Sequence, residues 1–549
     1  MLSRRAGWAL AVPVFVVLVG YVLWPNVETF RLGLDGELLA DLFGRGRSAG
    51  TRALVNSVGV SLGTVVLGGA VGTALAWALW RYDLPLRRTL GAVAALPLAL
   101  PPLVGVLAFL FLYGESGMLP RALQAAFGLE AVPFAFGGIG AVLAVHVYVF
   151  YVYFYLFVGA SLRDLDASLL DASADLGAGA WTTFRRVVLP LLRPALVGAS
   201  LLVFMLSMAS FTAPLLFAEG EPFLTTQIYQ FKTNGALDRA AAVSVVLTGI
   251  CLLFLVGAET RGRATGAGAG KGVGRRPGPL RGWPRVVASV LVGVALLVVL
   301  LPVATVVLLS FVEEGSWTTQ ILPDTFTGAN YAALFTQPDV LAPITSSLWM
   351  AALATAANVV FGVATAVVIV KGKVPGRGVL RALSLLPFAV PGTVMALGLL
   401  VLFDEPTLLA GGAVLIGTVW LLPLAYFVRH LPLVVRAAQA SLEGFDDRLA
   451  EASADLGAGG WATFRRVVLP AIGPGVIAGG LLTFVTALGE FVASIMLYVY
   501  ANRPIAVEVF SQLRIFAFGQ AAAYSVLLMG LVVIAVVVSR RLGGQGVQA

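Results

Sequence analysis

Long apolar runs, separated by short charged or glycine-rich stretches, repeat along the whole chain. A helix that crosses a bilayer needs about 20 mostly apolar residues. Twelve runs have that character, near 7–25, 54–80, 89–113, 134–160, 194–218, 240–258, 284–311, 345–370, 380–403, 408–431, 472–499 and 520–539. The run at 408–431 is the weakest, because only DEPT (Asp404 to Thr407) separates it from the run before. The first run follows MLSRRAG, a charged start like that of a signal peptide. Its apolar character continues to Trp24 without a small-residue cleavage pattern, so it reads as a retained first helix.

The charges between the runs set the orientation. With the amino terminus in the cytoplasm and the spans alternating, most Lys and Arg fall on the cytoplasmic side, as positive-inside topology requires. Arg81, Arg87 and Arg88 mark one inner loop, and Lys371, Lys373 and Arg377 its equivalent. Glu313 and Glu314, with no Lys or Arg until Lys371, mark an outer one. Both termini are expected inside. Residues 259–283, ETRGRATGAGAGKGVGRRPGPLRGW, read as a flexible basic linker. Its Gly270-Lys271 lacks the following hydroxyl, the spaced glycine and the preceding strand of a phosphate-binding loop. The chain is therefore not expected to hydrolyse ATP by itself.

The linker divides the chain into units at 1–258 and 284–549, each with six expected spans. DASADLGAGAWTTFRRVVLP, starting at Asp171, returns as EASADLGAGGWATFRRVVLP at Glu451, matching at 17 of 20 positions. LPLALPPLVGVLAF from Leu96 is echoed by LPFAVPGTVMALGL from Leu386, and SFTAPLLF from Ser210 by EFVASIML from Glu490. An even number of spans per unit gives both copies one orientation, related by a pseudo-twofold along the membrane normal. The fold class is an all-α polytopic membrane protein of two tandem six-helix units.

Composition agrees. Hydrophobic residues make up 59% and charged residues 12% of the chain, about half the charge of a soluble globule. One cysteine, Cys251, and two distant histidines, His146 and His430, exclude an internal disulfide and a Cys/His metal cluster, and no cofactor is expected. The net charge of +8 follows from topology, with no separate basic helix or aromatic platform for nucleic acid.

The repeated segments fall in cytoplasmic loops, 161–194 and 441–474. SLLDASADLG favours helix, with Ser168 a candidate cap; Gly177 and Gly179 stop it. A short amphipathic helix with Arg185 and Arg186 follows, then Pro190 and Pro194. An interfacial anchor would explain the amphipathic part. It would not explain near-identity between copies whose flanking spans have drifted; two surfaces meeting one kind of partner would. Asp171, Ala172, Ser173, Gly177, Leu189 and Pro190, with Glu451, Ala452, Ser453, Gly457, Leu469 and Pro470, resemble the EAA loop of binding-protein-dependent ABC importer permeases. The likeness spans nearly the whole chain as two fused permease units, and departs where Asp171 stands for the usual Glu. It implies that the loops dock two copies of a cytoplasmic ATP-binding-cassette ATPase, with Asp171 and Glu451 pairing a basic residue, the glycines permitting the turn, and Ala172, Ala174, Ala452 and Ala454 allowing close approach. An extracytoplasmic solute-binding protein would deliver the cargo. The location implied is the inner or plasma membrane of a prokaryote.

Broken helices mark the translocation pathway, because irregular backbone within a membrane needs protein or a cavity around it. Pro101 and Pro391 are candidates, with Glu490, an acidic residue inside a span, and its neutral counterpart Ser210. Glu490 reads equally as a buried partner of a helix terminus. His146 is expected to bond a neighbouring helix, and Tyr148, Tyr151, Tyr153 and Tyr155 to pack. MASFTAPLLFAEGEPFLTTQIYQ, with ALGEF and the fused plan, resembles the ferric-iron branch of these permeases. Thiamine, phosphonate, polyamine and oxyanion permeases share the plan. An ion-coupled secondary transporter would need more intramembrane carboxylates, and leaves the duplicated loops unexplained.

Overall fold

The computed structural model describes residues 4–44, 46, 48–263, 278–317, 320–372 and 374–543. Of the expected linker, 264–277 lies outside the described residues, as does Lys373. Glu259 to Arg263 continue the helix Leu237–Arg263 rather than opening the linker.

Helix accounts for 79% of the described residues. Hydrocarbon offers no partner to backbone N–H and C=O groups, and a helix satisfies them internally. Among the described residues, eleven helices are long and apolar enough to cross a bilayer: Gly7–Gly33, Ala49–Arg81, Pro102–Phe127, Gly138–Arg163, Trp181–Met208, Leu237–Phe254, Trp283–Leu309, Pro338–Lys371, Leu421–Glu443, Gly460–Leu488 and Phe518–Val538. The bent pair Arg377–Ala389 and Gly392–Leu402, turning by 110°, makes the twelfth. Six spans thus fall in each unit.

Several span boundaries differ from the sequence expectation; the third span, expected at 89–113, runs over Pro102–Phe127. The tenth span runs over Leu421–Glu443, not 408–431. Residues 408–410 form one 3₁₀ turn ended by Gly411 and Gly412, both at positive φ, and hydropathy alone does not register that punctuation. The eleventh ends at Leu488, with a separate short helix at Val492–Leu497. In the first unit the fifth span likewise ends at Met208, before the short helix Thr212–Phe217.

The third and ninth spans break at proline in the same way. Leu100 and Val390 precede the prolines with ψ of 131° and 127°, the extended backbone that a following proline imposes. Pro101 and Pro391 then open new helices, with ψ of 136° and 144°.

Spans two and four pack closely because glycine leaves room. A Cβ at Gly72 would overlap the Tyr151 carbonyl; in the second unit, one at Gly362 would lie 2.8 Å from Val434. Small residues at helix crossings bring backbones together where no hydrophobic effect drives association.

The units are continuous in sequence but exchange their first helices in space. The first span crosses to the second unit: Tyr21 Oη donates to the Leu409 carbonyl at 2.5 Å, and its ring stacks on Phe403 at 6.2 Å. A Cβ on Gly398 would approach the Pro25 carbonyl oxygen at 2.7 Å. The seventh span crosses the other way. Its Val299 carbonyl accepts from Tyr148 Oη at 2.9 Å, and Val292 is buried with Leu79, Leu84 and Leu90. One apolar core therefore runs through both units, joining residues such as Leu107, Phe211, Leu397 and Phe491.

This exchange makes the contact at Gly398 a structural joint. Gly398→Val should lower the thermal unfolding midpoint in detergent, the over-packing costing about 1–3 kcal/mol. Gly530→Ala, where an added Cβ meets open space, should leave the midpoint unchanged.

Candidate functional site

The two repeated segments fold into the same knob. A nine-residue helix forms in each, Ala167–Asp175 and Asp447–Asp455. Their caps are Asp166 and Asp446, whose carboxylates each accept a backbone N–H two residues on, at 3.0 Å. Ser168, the expected cap, instead donates its own N–H to Asp166. An Asp side chain two residues earlier reaches the free N–H groups first.

Each knob helix ends in the same glycine turn. Gly177 and Gly457 stand at φ +76° and +82°. Ala178 N–H donates to the Ser173 carbonyl, and Ala458 N–H to that of Ser453, both at 3.1 Å. This six-to-one closure requires a left-handed residue, which glycine adopts without the Cβ penalty. Ser173 Oγ meets Thr183 Oγ1 at 2.9 Å, and Ser453 Oγ meets Thr463 Oγ1 at 3.0 Å. These hydroxyl pairs brace each knob against the helix that follows.

That following helix begins with a widened turn. Phe184–Val188 and Phe464–Val468 are π-helical, with the N–H of Leu189 and Leu469 reaching back five residues. Pro190 and Pro470 come next and carry no N–H, so the wider turn accommodates their rings. Trp181 stacks on Phe184 and Trp461 on Phe464, each at 5.7 Å.

The knobs present themselves outward. Leu176 and Leu456 are 88% and 89% exposed, and Trp181 and Trp461 71% and 73%. Asp171, Ala172, Ala174, Glu451, Ala452 and Ala454 are exposed as well. The two knobs thus expose the same apolar side chains at matched positions. The knobs differ in one restraint: Lys371 Nζ pairs with Asp447 at 2.6 Å and lies 5.8 Å from the Phe445 ring centre, while Ala167 occupies the place of Asp447 in the first knob.

A second constellation lies where the fifth and eleventh spans break. Glu490 is buried, and Arg429 Nε donates to its Oε2 at 2.7 Å. His430 Nε2 is 3.8 Å from the same oxygen. Glu490 Oε1 accepts the Ala493 N–H at 3.0 Å, at the start of the short helix, and its carbonyl accepts from Ser494 Oγ. Tyr426 Oη meets Ser494 Oγ at 2.7 Å. The guanidinium lies against Gly392, where any Cβ would overlap it.

The first unit builds its counterpart without charge. His146 contacts Ser207 Oγ through Nδ1 at 2.9 Å and Ser210 Oγ through Nε2 at 2.8 Å. Ser61 Oγ donates to Ser207 at 3.0 Å, and Thr225 Oγ1 to the Ser210 carbonyl at 2.8 Å. One break is thus stabilised by neutral hydroxyls and an imidazole, the other by an ion pair. Pro101 belongs to this region too: a Cβ on Gly489 would lie 3.3 Å from it.

Arg429 is the residue that sequence reading passed over. The run at 408–431 placed it at a helix end, whereas in Leu421–Glu443 it lies well inside a span. A charged residue within an apolar run is signal enough once the helix register is right. The tyrosines of the fourth span tie it to broken backbone: Tyr151 Oη donates to the Ala94 carbonyl at 2.9 Å and Tyr155 Oη to that of Gly91 at 3.2 Å. Among the described residues, no group of three or more His, Cys, Asp or Glu could hold a metal ion.

The sequence pattern of the family described as "Binding-protein-dependent transport system inner membrane component" matches residues 68–258 and 358–543. The probable ABC transporter permease protein y4fN of Sinorhizobium fredii is 31% identical over 465 residues, covering 83% of this chain and 81% of that one. The ferric transport system permease protein FbpB of Actinobacillus pleuropneumoniae is 27% identical over 94% of this chain and 75% of its own. The sulfate transport system permease protein CysT of Escherichia coli is 34% identical over 37% of this chain and 70% of its own. The chain belongs to this family of ABC transporter permeases, with two permease units fused in one polypeptide.

The ion pair at the second break should behave as a buried pair. Arg429→Ala leaves the Glu490 carboxylate uncompensated and should destabilise the protein by about 3 kcal/mol or more. The double variant Arg429→Met, Glu490→Gln should recover much of that loss in thermal unfolding.

Proposed function

We propose that this chain is the translocation subunit of a ferric-iron importer. Two copies of a cytoplasmic ATP-binding-cassette ATPase grip its knobs, and an extracytoplasmic solute-binding protein delivers cargo from the other side. The observation that carries the docking part is the matched pair of knobs, with the same cap, glycine turn, hydroxyl brace, π-turn and exposed Leu and Trp. Asp171, Ala172, Ser173, Gly177, Leu189 and Pro190 form one docking surface; Glu451, Ala452, Ser453, Gly457, Leu469 and Pro470 form the other. Both are assigned to the cytoplasmic face of a prokaryotic inner or plasma membrane, with both termini on that side. The first unit ends with the helix Leu237–Arg263, and the second begins near 284.

The partner ATPases supply the chemical energy, and this chain supplies the path. ATP binding draws the ATPases together, and each carries its knob. Because the braced turn joins each knob to its fifth or eleventh span, knob motion becomes motion of a whole helix, and the units rock about the axis between them. Ser210, Glu490, Pro101 and Pro391 flank the path that opens and closes there.

Iron is favoured by extent of likeness. FbpB matches across both units, whereas CysT matches about one unit's length. An oxyanion is the second reading, favoured by the higher identity of CysT within its shorter match.

In cells carrying the complete system, radiolabelled ferric iron uptake should depend on this chain and be unaffected by excess sulfate or molybdate. Uptake of radiolabelled sulfate or molybdate that depends on this chain, with no iron uptake, would support the second reading. Glu451→Lys should cut uptake by at least about tenfold through loss of about 2–5 kcal/mol of docking, with membrane insertion intact. Glu451→Asp should retain most uptake, since the first unit carries Asp171 at that place. Normal uptake by Glu451→Lys would remove the docking role.

A further inference from the structure

Immediately after Ser210 and Glu490 come Phe211 and Phe491, occupying equivalent positions in the two repeats. Their rings are 1% exposed and meet each other, with centroids 6.0 Å apart and planes inclined by 34°. Contact between equivalent groups locates the symmetry axis. Two points related by a twofold lie on opposite sides of it at equal distance, so each ring centre lies no more than half their separation, about 3 Å, from the axis.

The pattern extends outward symmetrically. Tyr229 meets Phe211 edge to face at 5.4 Å and 63°, and Phe510 meets Phe491 at 5.7 Å and 60°. These backing residues also correspond. Each lies on a short helix whose first N–H is held by a serine of its unit's second span. Ser57 Oγ accepts from Leu224 at 3.0 Å, and Ser347 Oγ from Ile505 at 2.8 Å. Offset and edge-to-face contacts are the favoured aromatic geometries. The four rings therefore form one continuous row through the axis.

We infer that Phe211 and Phe491, backed by Tyr229 and Phe510, are the seal of the translocation pathway in this conformation. The inference rests on the reading that the path runs along the axis between the units. With two phenyl rings in contact on the axis, neither a hydrated ion nor a solute passes without separating them. An apolar constriction also expels water, which blocks ion leak.

The seal is wired to the knobs by a continuous element. Trp181–Met208 and Gly460–Leu488 run 28 and 29 residues, about 40 Å at 1.5 Å per residue, from the knob turn to the break that carries the ring. Each phenylalanine lies at the start of the short helix beyond that break. Displacing both knobs thus moves both rings, and equal motions of the two units part them symmetrically. The backbone at the breaks is held differently, by neutral hydrogen bonds beside Phe211 and by the Arg429–Glu490 pair beside Phe491. At the two breaks themselves, the charged pair belongs to the second unit, through Arg429 and Glu490.

The test uses the whole chain in liposomes loaded with potassium chloride, without ATPase or cargo, so failure of the iron or partner assignments does not affect it. Wild type should hold potassium. Phe211→Gly with Phe491→Gly should release it at least about tenfold faster, while Phe211→Leu with Phe491→Leu stays tight. In a Cys251→Ser background, Phe211→Cys with Phe491→Cys should leak until a short bifunctional thiol reagent joins the two residues, and then be tight again. A monodisperse double-glycine variant as tight as wild type would overturn the seal. So would a cysteine pair that the bifunctional reagent cannot join, since the two positions would then not meet across the axis.

Discussion

The structure depends on one constraint: backbone polar groups inside hydrocarbon must find partners within the protein. Unbroken helices meet it alone. Each unit also contains two breaks, one at Pro101 or Pro391 and one after Met208 or Leu488, and each break frees N–H and C=O groups. The second break is stabilised by Thr225 and His146 with Ser210 in one unit, and by Glu490, Ser494 and Arg429 in the other. Such side chains have to be supplied by packed neighbours. The breaks therefore gather in the interior, where both units contribute to one core.

The same constraint explains why the duplicated elements kept different amounts of identity. The knob must form one exposed shape twice, and its cap, left-handed glycine and hydroxyl brace are each met by few residue types. The breaks must only be satisfied, and many donors and acceptors do that. Hence the knobs match almost residue for residue, while Ser210 corresponds to Glu490 and His146 to Tyr426 in the repeat. A network of neutral hydroxyls and an ion pair are alternative solutions to one electrostatic problem. They differ in stakes, because losing one partner of the pair strands a buried charge.

Much of this architecture could be read in the residues. Span number, the two-unit plan and the glycine turn of each knob follow from local rules of hydropathy, repetition and backbone conformation. The reading lost accuracy where non-local contacts decide. Asp166 rather than Ser168 caps the first knob helix, although both residues are good caps, because the position of the first turn selects between them. Arg429 escaped notice because a span boundary shifted by between about three and four turns moves a residue from a membrane edge to its interior. Ser210 and Glu490 drew attention through polarity, whereas the rings beside them, among the 32 phenylalanines of an apolar chain, carried no local signal.

By itself the sequence determined that the chain is a helical membrane protein with a repeated plan and twin knobs, because hydrophobic length, charge bias and the left-handed glycine are properties of short segments. Only the tertiary structure decided that the first helices exchange between units, that Arg429 neutralises Glu490, and that Phe211 meets Phe491 on the axis. These are contacts between residues tens to hundreds of positions apart. Their partners are selected by which surfaces pack together, and no periodicity along the chain encodes that choice.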